Sequence, residues 1–409
     1  MLYQLYDLQR AAWAPVALAA EAACRAAEAL LPPSGGLRLG RAALAACEIL
    51  SRATRAHRHA AFDIPTVTIE GREIAVEERI VAELPFCSLR HFARVGRRPR
   101  PRLLVVAPLS GHFAALLNDA VKGLLEAHDV YVSDWHDARE VPLSAGPFDL
   151  ESYIAYLIGF MRLLGPGLHV VAFSQATVPA LAAAAILAEA GDAAEPLSLT
   201  LVAGPIDARV KATPAQRLAE RQPRALYEAA MVATVPPFYP GAGRRVLPGF
   251  IQLAGYISHN LERHVEAHWD FFGRIVDGDR AGADAHRRFY DRFLSLLDLP
   301  AEFFLDTLES VFQEHRLAQG AMRWRDRAVV PRALSRTALL TIEGGLDDVS
   351  PPGQTQAAHA LCPALTAAQR SHHLEPAAGH LALIYGHHWR RSILPRLAGF
   401  IRAQQGAGS

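Results

Sequence analysis

Short apolar runs alternate with longer helical patterns along much of the chain, and this alternation indicates an α/β fold. Each run is typical of a strand that is buried on both faces of a sheet. The runs are LLVVA from Leu103, DVYVSDW from Asp129, LHVVAF from Leu168, LSLTLVAG from Leu197, ALLTIEG from Ala338 and the weaker SHHLEP from Ser371. Helical patterns at 113–128, 150–164 and 177–190 separate several runs. We therefore predict a mostly parallel sheet with crossover helices.

Two segments depart from this alternation. Residues 206–332 contain helical pieces and no clear strand, so we predict an all-helical cap inserted over the carboxyl edge of the sheet. Residues 1–60 form a predicted N-terminal helical extension, in which LLPPSGG separates a helix that ends near residue 32 from one at about 41–57. The α/β core then comprises residues 61–205 and 333–409, and its first part opens with a hairpin signal around Glu70 and Gly71.

Composition narrows the classes of protein that remain. The chain has 409 residues, 51% of them hydrophobic, which is enough for a large core. A formal net charge of +1, together with the absence of base-reading motifs, argues against nucleic acid as a partner. Four cysteines without a C-x-x-C pair are expected to be free thiols, with no zinc cage or redox pair. The first 31 residues predict neither a signal peptide nor a transmembrane helix, so a cytoplasmic protein is expected.

Three residues able to perform nucleophilic catalysis follow strand-like runs. Ser174 follows HVVAF, Asp347 follows LLTIEGGL and His380 follows HHLEPAAG. Catalytic groups in an open parallel sheet lie at the carboxyl ends of strands, so these three side chains are candidates for one site. Their order along the chain, serine then aspartate then histidine, is the order expected of an α/β-hydrolase fold.

The residues around Ser174 favour a nucleophile elbow, a tight turn between a strand and a helix that requires small neighbours. Ala172 and Ala176 stand two positions before and after the serine. The alternative is that Ser174 only caps a helix. Asp347 is preferred over Asp348 by its spacing from the preceding glycine and the following proline, although a turn aspartate that bonds its own backbone is the alternative.

These three residue types suit the hydrolysis of an ester. An imidazole titrates near neutral pH, so His380 can take the proton of the Ser174 hydroxyl and later give it to the leaving group. The carboxylate of Asp347 would fix the histidine tautomer and stabilise its charged form. Backbone N–H groups must stabilise the oxyanion. Gln175 and Ser110 are the predicted donors, with Leu109 and Gly111 as alternatives to Ser110.

Two weaker signals are not interpreted as sites. HVEAH, from His264 to His268, has the i, i+4 spacing of a metal-binding helix, but its glutamate is displaced and no third ligand is evident. A helix face is the favoured interpretation. A Gly-rich phosphate loop is also missing, since GAGRR follows prolines and not a strand. We predict no metal and no cofactor.

Several longer stretches together resemble one known family. The stretches are MLYQLYDLQRAAWAP, VVAPLSGHFAALL, VYVSDWHDAREVPLSAGPFDLESYI, HVVAFSQATVPALAA, IEGGLDDVS with GQTQAAH, and GHLALIYGHHWR. In this order along nearly the whole chain, they look like intracellular polyhydroxyalkanoate depolymerases of the polyhydroxybutyrate type. A more distant similarity is to the catalytic domain of polyhydroxyalkanoate synthases.

The resemblance implies an α/β-hydrolase that cleaves stored poly(3-hydroxybutyrate) into oligomers and 3-hydroxybutyrate. It matches at Asp347 and at His380. It departs at the nucleophile, where many intracellular members have cysteine in a stretch like VCQPTVP and this chain has FSQATVP. A serine argues against thiolysis to coenzyme A, while still completing a triad with the same aspartate and histidine.

A polyester of short hydroxy acids is uncharged, so its site is expected to be lined by aromatic and aliphatic groups. The candidates for substrate binding are Phe238, Tyr239, Trp269, Phe271 and Phe272, with ordinary helix core as the alternative. Adsorption to a polymer granule would need an exposed apolar patch, on the cap or near Tyr6 and Trp13.

The sequence leaves three rival functions open. They are a carboxylesterase or lipase for other short acyl esters, a polymer synthase, and a non-catalytic granule protein. The oligomeric state is not predicted.

Overall fold

A computed structural model of the protein describes residues 2–30, 38–55, 59–96 and 100–405. Of the segment LLPPSGG, which is predicted to break the first helix, all residues after Leu30 lie outside the described residues. Strands are found at β1 Thr66–Ile69, β2 Arg72–Leu84, β3 Cys87–Arg94, β4 Arg102–Val106, β5 Asp129–Trp135, β6 His169–Phe173, β7 Ser198–Val202, β8 Ala233–Thr234, β9 Arg245–Leu247, β10 Leu299–Pro300, β11 Arg323–Trp324, β12 Arg327–Ala328, β13 Ala338–Gly344 and β14 Arg370–Glu375.

The α-helices divide between the extension, the core and the insertion. They are α1 Leu2–Leu30, α2 Arg38–Thr54, α3 Asn118–Leu124, α4 Leu150–Leu164, α5 Thr177–Glu189, α6 Pro214–Arg221, α7 Arg224–Met231, α8 Gly249–His259, α9 Leu261–Asp277, α10 Arg280–Phe293, α11 Ala301–Thr307, α12 Ala358–Leu361, α13 Gly386–His388 and α14 Leu394–Gln405. Among the described residues, no helix combines the length and the apolar character needed to cross a bilayer.

The described part of the chain contains one large sheet, with the strand order β1-β2-β3-β5-β4-β6-β7-β13-β14. The strands from β5 to β14 in this order pair in parallel, and β1, β2 and β3 pair antiparallel to their neighbours. Every residue of β6, β7 and β13 is buried, as a continuous apolar run requires when helices cover both faces. The predicted α/β architecture with a mostly parallel sheet is confirmed.

The hairpin predicted at Glu70 and Gly71 is present. β1 pairs with β2 from Ile69 and Arg72 outward, so Glu70 and Gly71 form the turn. Both have positive φ, at 50° and 75°, which is the backbone of a type I′ turn. The mirror-image turn matches the right-handed twist of the strands and so sets their register.

The insertion at 206–332 is mostly helical, but the prediction that it is all-helical is wrong. The strands β8, β9 and β10 form a small antiparallel sheet there, and β11 pairs with β12 as a hairpin. Each of these strands has only two or three residues. A segment that short cannot show a period-two pattern, so the sequence gives no signal for it.

The N-terminal extension packs on the insertion. The rings of Tyr3 and Phe250 meet edge to face at 5.9 Å, and Tyr6 stacks on Phe250 at 4.2 Å. Further along, α2 lies against α9, and Arg287 makes two hydrogen bonds to Glu48, each 2.6 Å long. The extension therefore supports the insertion from outside the central sheet.

A buried carboxylate joins the extension to the insertion. The hydroxyl of Tyr3 donates a hydrogen bond to Asp298, whose other carboxylate oxygen accepts from the Gly249 N–H at the start of α8 (2.8 Å). The Asp298 N–H donates to Asp137 (3.0 Å). Burial raises the pKa of Asp298 to about 6, and the nearby negative charge of Asp137 adds to the rise. The first turn of α1 and the start of α8 thus share one anchor.

The raised pKa of Asp298 predicts a specific pH dependence of folding. Its pKa is higher in the folded chain than in the unfolded chain, so it contributes stability below about pH 4 that is lost as the pH rises through 6. The side chain of the Asp298→Asn variant is neutral at every pH, so position 298 should make no pH-dependent contribution to its stability. Urea denaturation should show that the wild type loses on the order of 2 kcal/mol relative to the variant between pH 4 and pH 7. A constant difference over that range would contradict the assignment.

Candidate active site

Ser174 lies in a strained turn between β6 and α5. Its φ is 52°, in the left-handed region that non-glycine residues seldom adopt. The two small neighbours, Ala172 and Ala176, are fully buried against the turn. The hydroxyl of Thr177 donates a hydrogen bond to the Ser174 carbonyl at 2.8 Å, and this bond stabilises the turn. This is the backbone of a nucleophile elbow, in which the serine side chain is lifted above the sheet edge.

The structure brings Ser174, Asp347 and His380 together through hydrogen bonds. The Ser174 hydroxyl donates to His380 Nε2 at 3.0 Å, and His380 Nδ1 donates to Asp347 Oδ2 at 2.8 Å. The other oxygen of Asp347 accepts from the N–H groups of Val349 (2.9 Å) and Ser350 (2.8 Å), which fixes the carboxylate within its own loop. These donor assignments follow from the network, since Nδ1 faces a carboxylate.

The two loops that carry Asp347 and His380 touch through their backbones. Gly345 lies so close to Pro376 that a Cβ at position 345 would be 2.3 Å from the Pro376 carbonyl oxygen. The Leu346 N–H also donates to the Ala378 carbonyl at 3.0 Å. Glycine at 345 is therefore required for the approach that sets the distance between the carboxylate and the imidazole.

A second buried carboxylate, which the sequence analysis did not identify, stabilises the chain that follows the loop of Asp347. Glu343 in β13 accepts hydrogen bonds from the N–H groups of Gly353 (2.8 Å), Thr355 (2.7 Å) and Gln356 (2.9 Å). It thereby holds the chain that returns after Asp347. The available signal was a single acidic residue inside the apolar run ALLTIEG, since a buried charge needs dedicated partners.

The predicted oxyanion donors, Gln175 and Ser110, lie beside Ser174. Gln175 follows it directly in the turn, and Ser110 lines the same cavities as Ser174. The Leu109 N–H donates to the Gln175 side-chain oxygen at 3.3 Å, so this alternative donor already has a partner. The Tyr256 hydroxyl donates to the Ser110 carbonyl at 3.2 Å and fixes the loop from the side of the insertion.

Two cavities meet at Ser174. One, called here the wide cavity, has a volume of about 700 Å³ and is lined by His380, Arg263, Phe289, Tyr290 and Phe293, among others. The other, the apolar cavity, has a volume of about 470 Å³ and is lined by Gln175, Ile251, Phe303, Phe304 and Phe312, among others. Tyr256 and Asn260 border both cavities, as does Asp348, the rejected alternative to Asp347.

The structure does not bring the predicted substrate-binding aromatic residues to Ser174. Phe238 and Trp269 are 71% and 69% exposed, outside both cavities. Tyr239 packs with Tyr3, and Phe271 and Phe272 pack in a cluster with α2. Most aromatic residues that do line the cavities come from other parts of the same insertion, and Phe113, Phe173 and Tyr385 come from the α/β core. The prediction failed because the packing partners decide which face of a helix turns toward the site.

The histidines of HVEAH make local contacts. His264 Nδ1 bonds the Tyr290 hydroxyl at 2.9 Å, and His268 Nδ1 bonds the His264 carbonyl at 2.8 Å. Within the described ranges, no cluster of three or more His, Cys, Asp or Glu side chains could hold a metal ion. The favoured interpretation of HVEAH as a helix face agrees with these contacts.

The strand order and the elbow define an α/β-hydrolase. Residues 203–405, about half of the chain, match the family model described as PHB de-polymerase C-terminus. On the basis of this match, the chain belongs to the polyhydroxybutyrate (PHB) depolymerase family, and it is an ester hydrolase. The matched region includes Asp347 and His380, whereas Ser174 precedes it. No curated protein sequence matches the chain.

Solved structures with similar folds include three hydrolases. An esterase from Thermogutta terrifontis has 16% identity and a TM-score of 0.44, over 80% of this chain and 98% of the esterase. The α/β hydrolase GrgF from Penicillium sp. sh18 has 15% identity and a TM-score of 0.48, over 81% and 100%. A monoacylglycerol lipase from Paleococcus ferrophilus has 12% identity and a TM-score of 0.44, over 78% and 99%.

Glu343 should contribute measurably to stability. Glu343→Gln places an NH₂ group where one carboxylate oxygen now accepts from backbone N–H groups, so at least one buried donor loses its partner. We expect the free energy of unfolding to fall by about 1–3 kcal/mol, measured by chemical denaturation. Glu189→Gln, at an exposed position with a 3.5 Å ion pair, is the control and should change it by less than about 1 kcal/mol. Equal effects of the two variants would contradict the role given to Glu343.

Proposed function

We propose that the chain is a serine esterase that hydrolyses poly(3-hydroxybutyrate) or related short-chain polyesters to oligomers and 3-hydroxybutyrate. The observation that carries this proposal is the continuous set of hydrogen bonds from Ser174 through His380 to Asp347. Membership in the PHB depolymerase family supports the choice of substrate.

In the proposed first step, Ser174 Oγ attacks the ester carbonyl while His380 Nε2 takes the hydroxyl proton. The Asp347 carboxylate, buried and held by two backbone N–H groups, stabilises the imidazolium that forms. The N–H groups of Gln175 and Ser110 would receive the oxyanion of the tetrahedral intermediate. Donors fixed in a turn need no reorganisation when the charge develops, which is the main source of rate enhancement in such sites.

The intermediate then breaks down in two stages. His380 gives its proton to the departing alcohol oxygen, and the acyl group remains on Ser174 as an ester. Water next attacks that ester with His380 as the general base, and the same oxyanion donors serve the second tetrahedral intermediate. The products are a carboxylic acid and an alcohol. Each step uses only side chains and backbone groups of this chain, with water as the co-substrate.

The surroundings of Ser174 suit an uncharged, moderately apolar substrate. Aromatic residues line both cavities, and Ser174 borders each of them. A polyester needs room on both sides of the bond that breaks, because the acyl and alcohol parts are both chain segments. The proposal includes contact with a polymer granule. The exposed aromatic side chains of Trp13 and Trp269 are the candidates for that contact.

Substitution of the proposed nucleophile should cause a large loss of activity. Ser174→Ala removes the only atom able to form the acyl-enzyme, so the rate of ester cleavage should fall roughly 10⁴-fold or more. His380→Ala should cause a comparable loss, since the hydroxyl then lacks a base. The measurement is release of 3-hydroxybutyrate and its oligomers from amorphous polymer and from the soluble trimer, identified by chromatography.

Two matched variants serve as controls. Ser144→Ala and His387→Ala alter exposed residues outside both cavities and should leave the rate unchanged. An unchanged rate for Ser174→Ala would refute the catalytic assignment. Turnover of p-nitrophenyl butyrate by a wild type that is inactive on polymer and trimer would favour a carboxylesterase for other short acyl esters.

A further inference from the structure

The two cavities at Ser174 contain different parts of the proposed machinery. His380 lines the wide cavity and does not line the apolar cavity, whereas Gln175 lines only the apolar cavity. The group that would protonate the leaving alcohol therefore borders the wide cavity. The residue that follows the serine borders the apolar cavity.

This division fixes the direction in which an ester can react. The alcohol oxygen must lie next to His380 Nε2 when it departs, because the imidazolium protonates it. The alcohol segment of the substrate therefore belongs in the wide cavity. The acyl segment stays attached to Ser174 and extends into the apolar cavity.

A hydroxyalkanoate chain has two chemically different ends. Its acyl segment runs toward a free hydroxyl group, which is uncharged. Its alcohol segment runs toward a free carboxyl group, which is ionised at neutral pH. We infer that an oligomer binds with its hydroxyl end in the apolar cavity and its carboxyl end in the wide cavity, where Arg263 receives the terminal carboxylate. This inference rests on the proposed function.

The position of Arg263 supports the assignment. It projects from α9 into the wide cavity, and its Nη1 lies 4.0 Å from the place that a Cβ on Gly379 would occupy. Gly379 directly precedes His380, so the guanidinium is adjacent to the catalytic loop. Arg274 also lines the wide cavity, but it faces Asp279 at 3.8 Å. The carboxylate contact is therefore assigned to Arg263 and not to Arg274.

The charges around the apolar cavity argue against the opposite orientation. Among the described residues that line it, none is cationic, and Asp348 at its junction with the wide cavity is acidic. A carboxylate placed in this cavity would be desolvated with no cationic lining residue to receive it. The wide cavity also contains acidic groups, Asp270 and Asp348, but it combines them with arginine.

Kinetics on two trimers test the role of Arg263. One is the free-acid trimer of 3-hydroxybutyrate, and the other carries an uncharged methylamide at its carboxyl end. Arg263→Gln should raise the KM for the free acid about fivefold with little change in kcat, because the lost contact binds substrate and transition state alike. The kinetics of the methylamide should not change. Arg263→Lys keeps the positive charge and should recover part of the affinity.

Arg245→Gln provides the matched control. Arg245 is an exposed arginine of the same insertion, paired with Glu228 and outside both cavities. Its variant should leave the KM values for both trimers unchanged. If Arg263→Gln affects the free acid and the methylamide equally, or neither of them, the carboxylate contact is refuted.

The products of the methylamide test the orientation independently. Gly255 lines the apolar cavity, and a Cβ added there would meet no atom within 4 Å, so Gly255→Leu fills the cavity without a backbone clash. Cleavage that leaves two units on the acyl side gives the dimer acid and the monomer methylamide. Gly255→Leu should shift the products toward the monomer acid and the dimer methylamide, and Gly255→Ala should cause a smaller shift in the same direction.

A shift toward the dimer acid, or an unchanged product ratio in a folded variant, would overturn the orientation. Thermal melting of each variant shows whether it is folded. The proposed function fails separately, if the wild type cleaves neither trimer nor polymer. Wild-type cleavage of both trimers with no effect of either Arg263 or Gly255 substitution would refute only the orientation.

Discussion

The left-handed backbone at Ser174 is the constraint on which the rest of the site depends. Such a conformation costs a non-glycine residue roughly 1–3 kcal/mol and persists only when the flanking structure determines it. Here the fully buried strand β6 ends directly before the turn, and the almost entirely buried helix α5 begins directly after it. Packing on both sides therefore stabilises the strained residue, and the small side chains of Ala172 and Ala176 allow it to fit.

Two buried carboxylates stabilise the loops that lie opposite Ser174. Glu343 lies directly before the last residue of β13, and Asp347 lies in the loop that follows the strand. Each accepts hydrogen bonds from two or more backbone N–H groups. Such bonds fix the carboxylate oxygens in position before any substrate arrives. One carboxylate orients His380, and the other holds the chain that follows the acid loop. The electrostatics of the site are thus set by the fold of one strand end.

The parts of the structure that the sequence predicted are those governed by local rules. Buried parallel strands must be continuous apolar runs, and polar residues that follow their carboxyl ends are placed at one edge of the sheet, so Ser174, Asp347 and His380 could be proposed from their positions. The lining of the cavities could not be predicted. Phe303 and Phe304 line the apolar cavity while Phe238 faces solvent, and this difference depends on long-range packing of the insertion that no local pattern records.

Helix α8 connects the extension to the chemistry. Tyr256, in its second half, borders both cavities and bonds the Ser110 loop, while Gly249, at its start, is held by the buried Asp298 that also receives Tyr3. Tyr256 thus borders both cavities together with Ser110, Ser174 and Asp348, which follow strands of the central sheet. Because Gly249 at the start of α8 is held by Asp298, which also binds Tyr3, the extension is linked through α8 to the part of the insertion that lines the site.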